Sequence, residues 1–423
     1  MLMALQDAPD IGASAPAPQA VAAGYAAIRA QTLGLIEGLA AEDCQAQSMP
    51  EASPAKWHLA HTTWFFETFV LALDPEYRPS HRAYTELFNS YYHSVGALHP
   101  RGQRGLLTRP TLDEVRAWRA VVDDGMLKVL EGDLSPEQRA RVELGLHHEQ
   151  QHQELLLADL KHLFWHNPLR PAYRDGALPP QPTAQPWRWL ERPGVMVEIG
   201  HGAEGFAFDN ETPRHRAWVD AHVIASRPVN NGEYLDFIVD GGYRNPLLWL
   251  ADGWDAVQAG DWQRPLYWDP DCDTHFTLRG ERTLEHDEPV CHLSYYEADA
   301  FARWAGARLP REEEWEAAAQ SWPVAGNLLD SGLLQPRSHD TDGPSFYGDV
   351  WQWCASSYAP YPGYQATAGA LGEYNAKFMC NQMVLRGGSC VTPAGHLRAS
   401  YRNFFAPHAR WQFSGARLAK DRV

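Results

Sequence analysis

The sequence predicts a two-part fold, an α-helical four-helix bundle followed by an α+β domain with much irregular structure. Capped helical segments fill the chain up to about residue 168, and a proline-rich stretch follows them. Beyond that stretch, short apolar runs alternate with Gly, Asn and Asp clusters, and tryptophan is frequent. A chain of 423 residues is also too long for one ordinary core. We therefore expect a flexible tail over 1–18, the bundle over 19–168, a linker over 169–193 and the second domain over 194–423.

Four segments of the first part carry the signals of helix starts and ends. The first has a broken apolar stripe at helical spacing. Ser53 followed by Pro54 is typical of the start of the second helix, and the capping-box pair Thr111 and Glu114 opens the third. Ser135, directly before a proline, opens the fourth. The predicted helices span 19–41, 53–73, 111–132 and 135–166.

Two further stretches have a predicted place in the fold. Residues 74–110 lie between the second and third helices, where a crossover of the bundle is expected, and loops of that length are usually functional. In the second part, the short apolar runs 195–199 and 217–224 indicate α+β structure. Its many aromatic residues are expected to hold it together more than regular sheets do.

Composition excludes several classes of protein. The net charge of -17 argues against a nucleic-acid surface, which needs clustered Lys and Arg. No run of about 18 apolar residues and no signal peptide is present, so we expect neither a membrane protein nor an exported one. The six cysteines lack CxxC spacing, which indicates a reducing cytoplasm and neither a disulfide framework nor a zinc ribbon.

A histidine pair marks the fourth predicted helix. His148 and His152 lie four residues apart, so their imidazoles share one helix face about one turn apart. Such a pair can bind a metal ion, but it also occurs on plain solvated helix faces. His61 on the second helix supplies a third imidazole from a facing element, which predicts a three-histidine metal site. We expect His58 and His147 to be hydrogen-bonded or surface histidines outside the ligand set.

Three neutral histidines would leave open positions at the metal, which suits catalysis more than a closed structural site. Zinc would allow a hydrolase or a thiol transferase, and ferrous iron would allow oxygen chemistry. The spacing pattern by itself allows both metals. Glu149 and Glu154 lie beside the histidines in sequence, and we expect them to point elsewhere or to orient imidazoles.

Two groups of motifs resemble known families. The first group pairs SPAKWHLAHTTWFFE with HHEQQHQELLLADLKH. This pairing resembles the DinB-type bundle of the ergothioneine-biosynthesis sulfoxide synthases, which are non-haem iron enzymes. The formylglycine-generating-enzyme (sulfatase-modifying-factor) domain, a C-type-lectin-like fold, resembles the later pieces GAEGFAFDNETPRH, PVNNGEYLDFIVDGGY, DVWQWCASSY and VLRGGSCVTP. Together the two modules cover about residues 20–420, and their order in one chain is a far more specific signal than either module alone.

The resemblance implies a function for the histidines. His61, His148 and His152 would hold ferrous iron, Fe(II), and O2 would be a co-substrate. A sulfur donor would be joined to C2 of the imidazole of hercynine (trimethylated histidine) to give a sulfoxide. Gln151, between the two ligands of the fourth helix, is expected to hydrogen-bond the hercynine imidazole.

The resemblance also implies roles for loop residues. Arg101 and Arg104 in HPRGQRGLL fall where the family binds the carboxylate of the sulfur substrate, a group that arginine recognises well. The proton-donating tyrosine has two placements in the family. One subtype uses the crossover loop, here Tyr91 and Tyr92, and the other uses the second domain, here Tyr361. The YYH loop and the nearby GALGEYNAKFM segment favour the first subtype, in which Tyr361 becomes a packing residue.

The late motif YRNFFAPHARWQFSGARLA is expected to reach into the bundle and close the site. Asn403 matches a position that contacts hercynine, and Phe404 and Phe405 are expected beside its trimethylammonium group, which aromatic faces attract. Family members that use γ-glutamylcysteine carry an aspartate in place of Phe405, so free cysteine is the expected donor. A close branch joins selenium from a selenosugar to the same carbon, and the motifs allow that alternative.

Other classes explain less of the chain. A formylglycine generator needs a thiol pair late in the second domain, and no cysteine follows Cys390. A zinc-dependent DinB-type thiol transferase would explain only the bundle. A non-catalytic lectin-like binding module would leave the three histidines unused. The sequence leaves the oligomeric state open.

Overall fold

The computed structural model describes residues 18–339 and 343–422, so the tail predicted over 1–18 lies outside the described residues except for its last position. In those ranges the helices are α1 (Pro18–Leu35), α2 (Ala41–Gln45), α3 (Ala55–Phe69), α4 (Tyr84–Leu87), α5 (Leu112–Leu130), α6 (Pro136–His166), α7 (Asn231–Val239), α8 (Ala251–Gly260), α9 (Tyr295–Trp304) and α10 (Glu312–Ala319). The strands are β1 (Trp189–Arg192), β2 (Val195–Ile199), β3 (His215–Val219), β4 (His222–Ala225), β5 (Thr274–Thr277), β6 (Gly280–Thr283), β7 (Trp351–Ser357), β8 (Met383–Arg386), β9 (Asn403–Phe405), β10 (Ser414–Gly415) and β11 (Ala419–Asp421). The helical first part and the mixed second part follow each other as predicted.

Helices α1, α3, α5 and α6 pack together as the predicted four-helix bundle. Both α1 and α3 pack against α5 and α6. The capping box of α5 forms, because Glu114 N–H donates to Thr111 Oγ1 at 3.2 Å and Thr111 N–H donates to Glu114 Oε2 at 2.7 Å. Ser135 and Gln138 cap α6 in the same way. Each pair satisfies helix-end N–H groups that would otherwise lack partners.

Several helix boundaries differ from the prediction, and α3 ends at Phe69, before the predicted end at residue 73, because Leu71–Leu73 forms a separate 3-10 segment. Helix α1 ends at Leu35, short of residue 41, because the chain turns through Gly38 with a left-handed φ of 84°. Helix α3 begins at Ala55, with Pro54 at the N-cap position. Ser53 does not cap it, since its hydroxyl accepts a hydrogen bond from a crossover arginine at 2.9 Å.

The crossover over 74–110 is packed into the bundle. It contains α4 and a 3-10 segment at Arg101–Leu106. Phe88 and Tyr92 from this crossover are fully buried in the bundle core. The crossover therefore forms one wall of the bundle interior.

Small sheets form the framework of the second part. One sheet has the strand order β1-β4-β11, another has β10-β7-β8-β9, and β2-β3 and β5-β6 are two-stranded. The predicted apolar run 195–199 is β2, whereas the run 217–224 covers the turn between β3 and β4. Strand β1 lies inside the stretch predicted as the linker and pairs antiparallel with β4. The sheet therefore begins before residue 193. Aromatic packing is extensive, as predicted, with Trp315, Trp351 and Trp353 almost fully buried.

Helix α6 carries contacts between the two parts. Glu154 accepts hydrogen bonds from Thr392 at 2.7 Å and from Gln412 at 3.1 Å. One turn from the end of the helix, Lys161 Nζ lies 2.7 Å from His292 Nε2. The second part is thus docked along the helix that carries the histidine pair. None of the described helices is both long and apolar enough to cross a membrane.

Candidate metal centre

Three histidines from two helices converge inside the bundle. His61 comes from α3, and His148 and His152 come from α6. One potential ligand atom of each ring lies within 4.8 Å of the other two. All three residues are buried, with exposed fractions of 0%, 1% and 8%. The structure therefore brings together the three residues that the sequence singled out.

Burial keeps these imidazoles neutral. Desolvation, helped by the neighbouring histidines, lowers the pKa of His61 and His152 well below the usual value. Desolvation also lowers the pKa of His148 to about 3. A neutral imidazole keeps one lone pair, which is the form that binds a metal ion.

Several nitrogens of the triad lack partners. His61 Nδ1–H donates to the carbonyl of Phe88 at 2.6 Å, so the lone pair of this ring is on Nε2. Among the described residues, no hydrogen-bond partner reaches the buried His61 Nε2 or either ring nitrogen of His148. Buried polar atoms are rarely left unpaired without a reason. A metal ion fits this donor set, because three neutral imidazoles suit zinc, copper or iron and leave coordination positions open.

His58 supports the triad from outside. Its Nδ1 lies 2.8 Å from His152 Nδ1, and its Nε2 lies 3.1 Å from Asp159 Oδ2. His147 is also hydrogen-bonded, with its Nδ1 3.0 Å from His396 Nδ1. The expectation that both are hydrogen-bonded histidines is confirmed, whereas the carboxylate of Asp159 was not predicted to take part.

The two glutamates beside the triad point away from it. Glu149 accepts hydrogen bonds from Thr32 at 2.6 Å and Arg29 at 2.8 Å, and it also pairs with Arg119. Glu154 is directed into the second part of the chain. Neither carboxylate belongs to the group of atoms that could hold a metal, in line with the sequence-based expectation.

Tyrosines of the second part hold Gln151 in place. Gln151 Nε2 donates to Tyr401 Oη at 2.6 Å, and Gln151 Oε1 accepts from the hydroxyl of Tyr374. The Tyr374 ring meets His148 edge-to-face, with centroids 5.5 Å apart. Burial raises the pKa of Tyr374 well above its usual value. Sequence reasoning missed Tyr374, although it lies in the GALGEYNAKFM segment that was expected near the crossover.

Two crossover tyrosines are connected to the triad through one intervening aromatic ring each. The rings of Tyr91 and Tyr92 lie 4.6 Å apart. The ring centroids of Tyr92 and Trp64 are 5.6 Å apart, and Trp64 in turn stacks on His61 with a centroid distance of 5.4 Å. Tyr91 also contacts Tyr374 at 6.0 Å. Tyr91, Tyr92 and Tyr374 are connected by these ring contacts, and we call them the phenol cluster.

The GALGEYNAKFM segment lies on the crossover, as predicted. Glu373 accepts the backbone N–H groups of His93 at 3.1 Å and Ser94 at 2.9 Å. Lys377 donates to the carbonyl of Tyr91. These contacts explain how a segment remote in sequence brings its tyrosine to the triad.

Tyr361 occupies a different cluster. Its hydroxyl accepts from Arg386 Nη2 at 2.9 Å, and its ring contacts His215 at 4.5 Å and the Arg402 guanidinium at 4.0 Å. Within the described residues, none of its contacts involves the triad or the phenol cluster. Its environment is that of a packing residue.

The two arginines of HPRGQRGLL have different surroundings. Arg104 is 4% exposed, and its guanidinium lies 3.4 Å from the ring centroid of Trp57, which stacks on His61 at 4.6 Å. It donates to two serine hydroxyls but forms no salt bridge with a described carboxylate, and its buried Nε has no partner. Burial and the nearby Arg101 lower the pKa of Arg104 to about 9. Arg101 is exposed and donates to a backbone carbonyl.

Strand β9 holds the three predicted hercynine contacts within the second part. Asn403 Oδ1 accepts the backbone N–H of Phe404 at 2.9 Å. Phe404 stacks on Tyr358 with centroids 4.0 Å apart, and Phe405 meets Trp411 edge-to-face at 5.9 Å. The late motif reaches α6, as predicted, but through residues on either side of these three.

Known families match both parts of the chain. The DinB superfamily matches residues 25–156. The sulfatase-modifying factor enzyme 1-like domain matches residues 183–335 and 341–422. The boundary between the two matches falls where the helical part gives way to the sheets.

Known proteins match the chain along its length. The hercynine oxygenase of Mycolicibacterium smegmatis is 33% identical, covering 96% of this chain and 99% of the relative. The hercynine oxygenase of Mycobacterium tuberculosis is 32% identical with the same coverage. The formylglycine-generating enzyme of Streptomyces coelicolor is 25% identical over 58% of this chain and 94% of its own length. With both modules matched in order and relatives matched end to end, the chain belongs to the ergothioneine-biosynthesis sulfoxide synthase (hercynine oxygenase) family.

Proposed function

We propose that this protein is an Fe(II)- and O2-dependent enzyme that joins a sulfur donor to C2 of the hercynine imidazole, giving a sulfoxide. In the balanced reaction the C2–H and S–H bonds break and a C–S bond forms. One oxygen atom of O2 goes to sulfur, and the other leaves as water. The observation that carries the proposal is the buried group of three neutral imidazoles, with unpaired nitrogens, in a member of this family.

His61, His148 and His152 are the proposed iron ligands. Ferrous iron held there would supply the oxygen chemistry, since an all-imidazole set leaves positions open for O2 and substrates. Trp57 and Trp64 stack on His61 at 4.6 Å and 5.4 Å and shield that side of the site from water. Water exclusion strengthens every electrostatic contact to a bound substrate.

Gln151 is the residue that we propose to orient the hercynine imidazole. Tyr401 and Tyr374 each bind one end of its amide, so the direction of the amide is fixed. One amide N–H and one carbonyl lone pair remain for a substrate. A locked amide can therefore select one orientation of the imidazole ring.

Arg104 is proposed to bind the carboxylate of the sulfur donor. It is a buried guanidinium that forms no salt bridge with a described carboxylate, and arginine binds carboxylates in a bidentate manner. A selenosugar without a carboxylate would leave this charge unpaired. Phe405 stands where family members that use γ-glutamylcysteine carry an aspartate. Both observations support free cysteine as the donor.

The phenol cluster is the proposed proton source. Burial raises the pKa of Tyr91, Tyr92 and Tyr374 well above the usual value, so each keeps its proton at neutral pH. Tyr374 already donates to Gln151. The buried Tyr92 hydroxyl lies close to that of Tyr91 but forms no hydrogen bond of normal geometry with any described residue. We propose Tyr92 as the donor, with Tyr374 positioning Gln151.

The compartment that we propose is the reducing cytoplasm. All six cysteines carry free thiols, and four of them are buried. This support is independent of the metal site.

Product analysis tests the proposed reaction. Purified protein loaded anaerobically with Fe(II) would receive hercynine, O2 and equal amounts of cysteine, γ-glutamylcysteine and a selenosugar. We expect mass spectrometry to find the cysteine-derived sulfoxide, with one O2 consumed per product. A selenium adduct as the main product would move the protein to the selenoneine branch. No O2 consumption with any donor, together with retained zinc, would overturn the proposal in favour of a thiol transferase.

A tyrosine pair tests the proton source. Tyr92→Phe should divert turnover from sulfoxide formation toward oxidation of the thiol alone, because C–S coupling loses its proton donor. Tyr361→Phe is the matched control, since that phenol is buried in a separate cluster. An unchanged product ratio in Tyr92→Phe would remove Tyr92 from the mechanism.

A further inference from the structure

The three triad imidazoles are supported unequally. His61 donates to a neutral backbone carbonyl, and neither nitrogen of His148 has a hydrogen-bond partner in the described part of the chain. His152 instead faces a second histidine, His58, which faces the carboxylate of Asp159. Of the three supports, this third one alone ends on a carboxyl group.

We call the chain of contacts from Asp159 through His58 to His152 the relay. The number of ring hydrogens determines which atom is the donor in each of its hydrogen bonds. Asp159 Oδ2 also accepts the backbone N–H of Ser53 at 2.7 Å, so this oxygen acts as an acceptor. When the His58 ring carries one hydrogen, that hydrogen must be on Nε2, 3.1 Å from this oxygen, which leaves a lone pair on His58 Nδ1. The 2.8 Å contact between the two Nδ1 atoms needs one hydrogen, which must belong to His152. His152 is thereby left with its lone pair on Nε2.

We propose that Asp159 is a positioning residue that acts through His58 to hold His152 in the tautomer that presents its Nε2 lone pair to a metal ion. This inference rests on the proposed metal site and deepens it. A carboxylate at the end of such a relay fixes the ring and makes the ligand nitrogen more basic. His152 is accordingly the best-supported ligand of the three.

The buried position of the relay fits this role. His58 is 2% exposed and Asp159 is 6% exposed, so neither is oriented by solvent. Asp159 lies on α6 together with His152, while His58 and His61 lie on α3. The relay therefore ties the two ligand-bearing helices together next to the triad.

Two substitutions at one position separate hydrogen bonding from charge. The backbone N–H of Ser53 and the Nε2–H of His58 both donate to the same oxygen, Asp159 Oδ2. In Asp159→Asn the amide oxygen can take that place, accept both hydrogens and keep the tautomer without the charge. Asp159→Ala removes the acceptor, so His58 can carry its hydrogen on Nδ1 and donate it to His152 Nδ1. The hydrogen of His152 would then be on Nε2.

Metal titration is the direct test. We would follow binding of Co(II) by its visible absorption and of Fe(II) under anaerobic conditions. Asp159→Ala should weaken binding about 10- to 100-fold, the usual range for loss of such a partner. Asp159→Asn should stay within about tenfold of the wild type. Glu67→Gln is the matched control and should not change affinity, because the described partners of this buried α3 carboxylate are Tyr77, Ser80 and Trp118.

A double substitution distinguishes a relay from a general loss of structure. Because Asp159 acts through His58, adding Asp159→Ala to His58→Ala should weaken Co(II) binding no further than His58→Ala alone. Additive losses, or equal affinity in Asp159→Ala and the wild type, would overturn the inference. Wild-type protein that binds neither Co(II) nor Fe(II) would instead contradict the proposed function. Thermal unfolding of the metal-free variants checks that each one is folded.

Discussion

Glu149 and Glu154 lie on the same helix, on either side of His152, and both are buried, yet their pKa values move in opposite directions. Burial favours the protonated form of each carboxyl group. For Glu149, the charges of Arg119 and Arg29 outweigh burial and hold the pKa at about 2. For Glu154, burial dominates and raises the pKa to about 7.

The difference comes from the charge of the partners. Glu149 is bound by two buried guanidinium groups and a hydroxyl, all inside the bundle. Glu154 is bound by neutral donors of the second part, namely Thr392, Trp351, Gln412 and Ser389. Neutral donors stabilise a carboxylate less than ions do, so they offset only part of the desolvation cost.

The two faces of α6 have different physical roles. The face of Glu149 is an ionic lock that joins α1, α5 and α6 and stays charged over the whole physiological pH range. The face of Glu154 is a hydrogen-bonded joint between the two domains, and its carboxyl group changes charge near neutrality. The triad lies between a permanently charged support and one that depends on pH.

Removing the charge of Glu149 should have the largest effect. Glu149→Gln leaves Arg29 and Arg119 buried with one fewer anion, and breaking a buried pair in this way costs about 3–5 kcal/mol of unfolding free energy. Urea denaturation of the metal-free protein measures the loss. Glu137→Gln, which breaks an exposed pair with Arg141 on the same helix, is the control and should cost less than about 1 kcal/mol. Equal losses in the two variants would show that the lock contributes no special stability.

The next effect is a pH dependence with a defined sign. The folded-state pKa of Glu154, about 7, is above its ordinary value of 4.5, so the folded state holds this proton more tightly than the unfolded state. Stability should therefore fall as pH rises from 4.5 to 7, by up to about 3 kcal/mol from this group. The stability that Glu149 contributes is instead present above pH 4.5 and is lost as pH falls toward 2.

Glu154→Gln isolates this effect, because glutamine is neutral at every pH. We expect urea denaturation at pH 5 and pH 7.5 to give a smaller stability difference for Glu154→Gln than for the wild type. Other buried groups titrate in both proteins and cancel in the comparison. An identical pH dependence in both would mean that Glu154 is ionised in the folded state at pH 5.

Local sequence signals explain which parts of this arrangement could be predicted. The capping boxes at Thr111 and Ser135 are hydrogen bonds between residues three apart, and the spacing of His148 and His152 is set by the helix itself. Hydrophobic and capping patterns therefore predicted the bundle, and a third histidine on a facing helix predicted the triad. The charged partners of Glu149 come from two other helices, which no local pattern specifies.

The rest of the site depends on contacts remote in sequence. Tyr374 reaches Gln151 from the second domain, and no spacing rule connects the two. Asp159 is one of several acidic residues in α6, and its link to His58 exists only once α3 and α6 are packed. Family resemblance placed Asn403 and Phe404 beside the substrate, and that role stays a prediction; the contacts that hold both residues in position lie within the second domain.

The smallest effects on stability should come from removing one hydroxyl donor from each of the two glutamates. Thr32 donates to the charged Glu149 at 2.6 Å, and Thr392 donates to Glu154 at 2.7 Å. At pH 5.5, Thr32→Val should cost about 1.5–3 kcal/mol, because a hydrogen bond to an ionised group is lost. Thr392→Val should cost about 0.5–1.5 kcal/mol, because the Glu154 carboxyl group is then mostly protonated.

At pH 8 the cost of Thr392→Val should rise toward that of Thr32→Val, while the cost of Thr32→Val stays constant. Urea denaturation at the two pH values measures both differences, and a Thr392→Val cost that is the same at pH 5.5 and pH 8 would contradict a change in the charge of Glu154.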